Sequence, residues 1–219
     1  MEDRYWQVQN SDRVQSYTKY YWGYQYRLAR EVLVPMLTES GAFQAGNNVV
    51  EIGCAEGGVL HAFAEAGAGK AIGTDIAVER LERGKNISEI IDLPVEFTSH
   101  DIIEHEPLNE WKETADLVLL RDVIEHLDDP AAALANIKKI IKPGGHLYVT
   151  FPPYHSPYGG HQQILMNSWG KFPYIHLLPE KIFDKMIASG RPNDIVEVKR
   201  LHKIRMTPKK FIAAAKDTG

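Results

Sequence analysis

The sequence predicts an α/β fold: a doubly wound parallel sheet with helices on both faces. Three features carry this. Short apolar segments alternate with longer stretches of helical spacing, a small-residue turn follows the first apolar segment, and an acidic residue sits at or near the end of four of the segments. The first strand is expected over 49–52, where Val49, Val50 and Ile52 suit burial, followed by a turn containing Gly53, Ala55, Gly57 and Gly58. Val59, Leu60, Ala62, Phe63 and Ala64 then continue at helical spacing, predicting a helix over 58–66. A second strand over 70–76 carries Asp75 near its end, and a helix over 77–91 follows. A third strand is expected over 95–102 with Asp101 near its end, and a fourth over 115–122 ends in Asp122 and runs into Val123, Ile124, Glu125, His126 and Leu127. A helix over 130–141 stops at Lys142, Pro143, Gly144 and Gly145, and a fifth strand over 145–151 follows.

Right-handed crossovers place the carboxyl ends of such strands along one edge, where a doubly wound sheet binds its ligand. Glu51, Asp75, Asp101 and Asp122 fall on that edge. The glycine turn lets a ligand approach the backbone, and the helix that follows offers free N–H groups to an anionic group. Asp75 stands twenty-two residues after Gly53, at the tip of the next strand, where a ribose presents its hydroxyls.

Taken together, these segments resemble the class I S-adenosylmethionine-dependent methyltransferases, with the resemblance spanning 49–151. The family's first motif, acid-x-Gly-x-Gly-x-Gly, is matched by Glu51, Gly53 and Gly57, with Ala55 in place of the middle glycine. The resemblance implies a Rossmann-like sheet and assigns Glu51 and the turn residues Gly53, Cys54, Ala55 and Gly57 to the methionine end of the cofactor. It assigns Asp75 to the ribose hydroxyls, Asp101 with Ile102 to the adenine, and Ile76 to the cofactor site. The fourth-strand motif places Arg121 and Asp122 at the same site. The implied reaction is displacement at the methyl carbon of S-adenosylmethionine, releasing S-adenosylhomocysteine, with a small-molecule acceptor and oxygen preferred as the accepting atom. A nicotinamide-dependent dehydrogenase would share the sheet but use Gly-x-Gly-x-x-Gly spacing. A non-catalytic module that binds S-adenosylmethionine, or serves assembly, is the other alternative.

Composition fits this reading. The 219 residues suffice for one domain with a sizeable core, and 44% hydrophobic with 25% charged residues is ordinary for a globular chain. A net charge of −4 gives no general attraction to phosphate backbones, which argues against nucleic acid as a partner. Cys54 is the only cysteine, which excludes an internal disulfide framework, and its place in the turn suggests a packing role. No apolar run approaches a membrane span and the N-terminal residues lack a secretory pattern, so a cytoplasmic protein is expected. The sequence carries no indication of oligomeric state.

The expected organisation is a single domain over 1–219: an N-terminal helical cap (1–46), a cofactor-binding core (47–151), an acceptor lid (152–206) and a terminal helix (207–219). Tyr20, Tyr24, Leu28 and Val32 fall at helical spacing, so this face is expected to pack on the sheet edge, while Tyr17, Tyr20 and Trp22 are candidates to line the pocket, a sulfonium being well placed beside an aromatic face. The lid, rich in Pro, Tyr, His and Gly, is long for a connection and stands where an acceptor would bind. The family's last two strands have no room before Gly219. The expectation is therefore a truncated form, a shortened natural variant, or an assembly that completes the sheet.

Phe151, Pro152, Pro153 and Tyr154 are similar to an element of nucleobase amino methyltransferases. They follow the wrong strand and begin with phenylalanine, which disfavours that chemistry. The basic residues Lys199, Arg200, Lys203, Arg205, Lys209 and Lys210 read as a solvated face. Asp122, Glu125 and His126 match positions implicated in divalent-ion binding in quinone-biosynthesis O-methyltransferases; bracing of the strand-to-helix turn is preferred, and no metal is assigned. His126 and His161 are the candidate general bases, with His155 and His176 as alternatives.

Overall fold

The computed structural model describes residues 3–218, which fall into two compact units, Met1–Arg121 with Ala135–Val149 and Asp122–Leu134 with Thr150–Gly219. The first unit is organised on a five-stranded sheet formed by β1 (Asn48–Ile52), β2 (Lys70–Asp75), β3 (Glu96–Ser99), β4 (Ala115–Arg121) and β5 (Ile141–Thr150), in the order β3-β2-β1-β4-β5. β1 pairs in parallel with β2 and β4, and β2 pairs in parallel with β3. The fifth strand runs the same way as β4: Gly145 lies against the Ala115 carbonyl, and the Asp122 N–H donates to the Thr150 carbonyl at 2.8 Å. The doubly wound, parallel α/β architecture expected from the sequence is therefore present.

Central strands must be apolar on both faces because helices cover both. Accordingly Val49, Val50, Leu117, Val118, Leu119 and Leu120 are completely buried. Burying a side chain of this kind contributes roughly 1.5–3 kcal/mol. α4 (Gly58–Glu65) and α5 (Val78–Ile91) follow the first two strands, and Leu60, Phe63, Leu81 and Ile87 join the same core. Gly73 in β2 leaves room for the Cys54 sulfur, which a Cβ there would meet at 2.6 Å. α6 (Pro130–Ile140) leads directly into β5.

Ahead of the sheet stand α1 (Arg4–Asn10), α2 (Ser16–Leu28) and α3 (Val34–Glu39), with a π-helical turn, Ala29–Leu33, joining the last two. Helical spacing here is as expected, but the predicted packing face is not. Tyr20, Tyr24 and Val32 are exposed, whereas Trp22, Tyr26, Ala29, Leu33 and Leu37 are buried. Trp22 and Tyr26 stack with ring centroids 4.7 Å apart, and an aromatic residue every four positions already fills the inner face. Two other expectations need correction. β3 ends at Ser99, because Asp101 leaves the strand to accept from the Ile103 and Glu104 N–H groups. The sequence 142–145 belongs to β5 instead of a helix stop, since α6 ends at Ile140.

The second unit contains short 3-10 turns at Ile124–His126, Gln162–Leu165, Trp169–Lys171 and Ile175–Leu177, then α7 (Glu180–Ile187), α8 (Pro192–Ile204) and α9 (Pro208–Asp217). It has its own apolar cluster of Leu165, Ile175, Phe183, Ile187 and Val198. Tyr154 braces it, donating its hydroxyl to the His176 carbonyl at 3.0 Å and lying 2.6 Å from His202 Nδ1. The expected terminal helix is α9; Gly219, its last expected residue, lies outside the described residues.

Candidate functional site

In the first unit the turn after β1 is built on β2. The Gly53 and Cys54 N–H groups donate to the Thr74 carbonyl at 2.7 and 2.9 Å, and the Ala55 N–H donates to Asp75 Oδ2 at 2.9 Å. Asp75 Oδ1 accepts from the Ala77 N–H at 2.8 Å. One carboxylate thus staples the two turns at the carboxyl ends of β1 and β2. A carboxylate has about four lone-pair sites, so Asp75 keeps capacity for further donors.

Gly53, Ala55 and Gly57 all have left-handed backbone, with φ of 72°, 54° and 72°. Gly57 and Gly58 are required by packing more than by ligand approach: a Cβ on Gly57 would meet the Phe97 ring at 2.6 Å, and one on Gly58 the Trp22 carbonyl at 2.8 Å. Cys54 is buried, and burial pushes its thiol well above the usual range, consistent with packing instead of reactivity.

Glu51, the penultimate residue of β1, is 4% exposed and its Oε2 has no partner. Burial pushes its carboxyl up to about 8, opposed by the Arg121 guanidinium and reinforced by Asp75. Arg121 ends β4, donates from Nη1 to Gln25 Oε1 at 3.0 Å, and has an enclosed Nε without a partner. Ile102 is buried, Asp101 is turned into the backbone of the loop after β3, and Ile76 and Tyr20 project at 72% and 77% exposure.

Two further groups in this unit escaped the sequence reading. Glu56, in the turn itself, is 1% exposed and held by Arg80 at 2.8 Å and Arg83 at 3.2 Å, with the Arg80 guanidinium 4.8 Å from the Tyr21 ring centroid. Their i, i+3 spacing on α5 opposite an acid in the preceding turn was the available signal. Fully buried His61 joins the indole of Trp22, which donates to Nδ1 at 3.0 Å, to Ser88 Oγ, 2.8 Å from Nε2.

The second unit holds a histidine–carboxylate group. His126 Nδ1 lies 2.6 Å from Glu197 Oε1, and its Nε2 lies 3.6 Å from Glu125 Oε1. The His126 and His161 rings stack nearly parallel, 5.1 Å apart. Both Glu125 oxygens are buried without partners, and burial pushes this carboxyl up to about 8, with the Asp122 charge adding to the effect. Burial, then the neighbouring His126, pushes His161 down to about 4. His161, Asp122, Thr150, Phe151 and Tyr158 help line an open cleft of about 570 Å³.

One ligating atom from each of Glu125, His126 and His161 lies within 4.8 Å of the others, a donor set that suits zinc-like ions, with Glu197 as the outer partner of His126. The sequence had suggested Asp122 for the third place. His176 is buried and bonded to the Tyr154 carbonyl at 2.6 Å, a structural position, and His155 packs edge-on against Tyr154. Several of the basic residues noted above are engaged within this unit: Lys199 with Asp184, Arg200 with Asp128, Arg205 with the His202 carbonyl and Lys210 with the Ile204 carbonyl.

The family described as "Methyltransferase domain" matches residues 21–185. Ubiquinone biosynthesis O-methyltransferases of Proteus mirabilis and Coxiella burnetii are 29% and 30% identical over 103 residues, 47% of this chain. That stretch is 41% and 42% of those proteins, so the chain matches less than half of their length. Among solved structures, a chain of the complex between the Haloferax volcanii Trm112 methyltransferase activator and a methyltransferase superposes over all of this chain and 76% of its own length, with TM-score 0.60 and 18% identity. The PH0226 protein of Pyrococcus horikoshii superposes over 70% of this chain and 68% of its own, with TM-score 0.51 and 21% identity. At these identities the two structures speak to the fold. The match across 21–185, on a sheet with the acid-bearing turn and the Asp75 staple, shows that the chain belongs to the class I S-adenosylmethionine-dependent methyltransferase family.

Proposed function

We propose that this protein transfers a methyl group from S-adenosylmethionine to an oxygen of a small organic acceptor. The observation that carries the choice of oxygen is the His126–Glu197 contact at 2.6 Å. A hydroxyl acceptor must lose a proton, and an imidazole oriented by a carboxylate is suited to take it. The likeness to ubiquinone biosynthesis O-methyltransferases over 103 residues supports the same preference.

The residues of the first unit fit the cofactor. A buried carboxyl and a guanidinium with a buried Nε, each with an unpartnered atom, suit the ammonium and carboxylate of an amino-acid end, and Asp75 keeps lone pairs for ribose hydroxyls. In this reading Glu51, Gly53, Cys54, Ala55, Gly57 and Arg121 serve the methionine end. Asp75 serves the ribose, Asp101 and Ile102 the adenine, and Ile76 and Tyr20 border the site. When bound, the cofactor would supply an electrophilic sulfonium methyl carbon, which bonds to the acceptor oxygen as its bond to sulfur breaks and S-adenosylhomocysteine leaves.

The protein's own work is orientation and proton removal. Because a carboxylate only accepts, Glu197 fixes the hydrogen of His126 on Nδ1 and leaves Nε2 to accept the acceptor's proton. His161, largely neutral near pH 7, offers a flat uncharged wall to the cleft. Among the described residues no helix is long and apolar enough to cross a membrane.

The test is calorimetric titration with S-adenosylmethionine, S-adenosylhomocysteine and NAD, followed by a radiolabelled methyl screen of phenols, catechols, amines and carboxylates. Saturable binding of the two adenosyl sulfur ligands alone, with label on a hydroxyl acceptor, is expected. Label on amines alone would overturn the oxygen preference, and binding without turnover on any acceptor would favour a non-catalytic module.

A further inference from the structure

The cleft of about 570 Å³ lies within the second unit, and its walls are one-sided in charge. Asp122 brings a carboxylate to it, Phe151 and Tyr158 bring aromatic rings, Thr150 and Ser156 bring hydroxyls, and His161 brings an imidazole that is largely neutral near pH 7. No lysine or arginine stands among the described residues that line it. An anionic ligand would therefore find no counter-charge in these walls, whereas a carboxylate beside aromatic faces is the combination that receives an organic cation.

The backbone fixes where the Asp122 carboxylate stands. The residue has a left-handed φ of 53°, and its N–H donates to the Thr150 carbonyl at 2.8 Å. The Thr150 hydroxyl donates to Asp122 Oδ1 at 3.3 Å, a single neutral bond that leaves the carboxylate most of its lone-pair sites. The Asp122 charge acts on its neighbours with the sign of an anion: it adds to the upward push on the Glu125 carboxyl and opposes the downward push on His161. Glu197 acts on His161 in the same sense. Both aromatic rings are held by residues that do not line the cleft. Phe151 lies against Phe211 of α9 with ring centroids 5.8 Å apart, and the Tyr158 hydroxyl donates to the Lys171 carbonyl at 2.9 Å. With that hydroxyl spent, Tyr158 offers the cleft carbon surface in place of a donor.

We propose that the methyl acceptor is a hydroxyl-bearing amine in its protonated form, and that Asp122 is the residue that selects it. The proposal rests on the reading of the chain as an O-methyltransferase and names the acceptor class for that reading. The ammonium is a handle: paired with the Asp122 carboxylate and set against the Phe151 and Tyr158 rings, it keeps its proton and so has no lone pair with which to attack the methyl carbon. The hydroxyl elsewhere on the acceptor gives up its proton and takes the methyl group. Thr150, which touches Asp122, acts through it as a positioning residue.

The experiment uses three phenols of similar size that differ in charge: tyramine, a cation at pH 7, neutral 4-ethylphenol, and the anion 4-hydroxyphenylacetate. Transfer of labelled methyl from S-adenosylmethionine gives kcat/KM for each on the parent chain, Asp122→Asn and Thr150→Val, and calorimetry on the chain loaded with S-adenosylhomocysteine measures their binding without turnover. The parent is expected to favour tyramine over 4-ethylphenol about tenfold, and over 4-hydroxyphenylacetate by more. In Asp122→Asn the ratio of tyramine to 4-ethylphenol should fall to about one, and in Thr150→Val to a value between. A ratio is insensitive to a general loss of activity or of folded protein, so either variant decides if the other folds poorly. A parent chain that ranks the neutral or anionic phenol first, or a ratio that survives Asp122→Asn, would overturn the assignment. If none of the three is turned over, the calorimetric ratio decides in the same way, and a parent chain that does not bind tyramine overturns it. Failure of the underlying reading looks different: tyramine preferred in binding but labelled only on nitrogen, or not at all, would keep the cation site and refute oxygen as the accepting atom.

Discussion

His126 Nδ1 and Glu197 Oε1 are 2.6 Å apart although 71 residues separate them in sequence. Glu197 lies on α8, and Arg200, one turn on, ties that helix to Asp128 through two hydrogen bonds. The contact is thus fixed from two points. It sets the tautomer of an imidazole whose other nitrogen faces the buried Glu125 carboxyl at 3.6 Å.

Replacing Glu197 by Gln removes the anion while keeping the shape. The Nδ1–H form of His126 should then lose its preference, visible as a shift of its ring nitrogens towards a tautomer mixture in 15N spectra. Methyl transfer to a hydroxyl acceptor should fall about 10- to 100-fold in kcat with KM little changed. Glu197→Asp should restore part of both. A variant with the parental tautomer and parental kcat would show that the contact serves only to hold α8.

His61 gives the first unit a measurable dependence on pH. Burial pushes its imidazole down to about 3, and both nitrogens are committed, Nδ1 accepting from Trp22 and Nε2–H directed at Ser88. The unfolded chain protonates this residue near 6.5, the folded chain near 3. Below pH 6.5 the unfolded state therefore binds more protons, and the stabilisation present above that pH is lost as pH falls towards 3. From pH 7 to 5 this single group should remove roughly 2 kcal/mol of stability. Urea unfolding at the two pH values should show that loss in the parent chain and a correspondingly shallower dependence in His61→Gln. An unchanged dependence in the variant would place the titrating group elsewhere.

Much of this architecture was legible because its signals are local. The apolar runs of β1, β2 and β4 are bounded by glycine or acid, so their positions follow within a residue or two, as do α4, α5 and α6. The N-terminal helices show where such reasoning stops. Both Tyr20–Tyr24 and Trp22–Tyr26 recur at four-residue spacing, and composition does not say which row turns inward; the π-helical turn at Ala29–Leu33 also shifts the phase of everything after it. At the candidate site, the positions of Glu51 and Asp75 near the ends of β1 and β2 could be read from the sequence. Glu197 could not be placed beside His126, nor His61 beside Trp22, because those contacts join distant segments and leave no periodic trace.

Ala55 is a second place where sequence and conformation disagree. The position has φ of 54°, which costs an L-residue roughly 1–2 kcal/mol and glycine almost nothing. Ala55→Gly should raise stability by about 1 kcal/mol, after allowing for the greater freedom that glycine gives the unfolded chain. Chemical denaturation at neutral pH would measure it. A destabilised variant would show that packing of the Ala55 methyl, which is 6% exposed, outweighs the relief of strain.

Glu56 holds the same turn to α5, and its loss should be felt more strongly than any of these. Its carboxylate is 1% exposed and receives two hydrogen bonds from Arg80 and one from Arg83, while Arg80 also covers the Tyr21 ring. Removing one partner of a buried pair typically costs about 3–5 kcal/mol, because the charges left behind are no longer compensated. Both arginines here retain some access to water, which moderates the effect, so Glu56→Ala should lower stability by about 3 kcal/mol. The neutral isostere Glu56→Gln should lose less, since it keeps one acceptor for the two guanidinium groups. Because Glu56 lies between Ala55 and Gly57, the alanine variant should also weaken S-adenosylhomocysteine at temperatures where the chain is still folded. Thermal unfolding and calorimetry on the same samples separate the two effects: a large loss of stability with full ligand affinity would mean that Asp75 alone maintains the turn, through its bond to the Ala55 N–H.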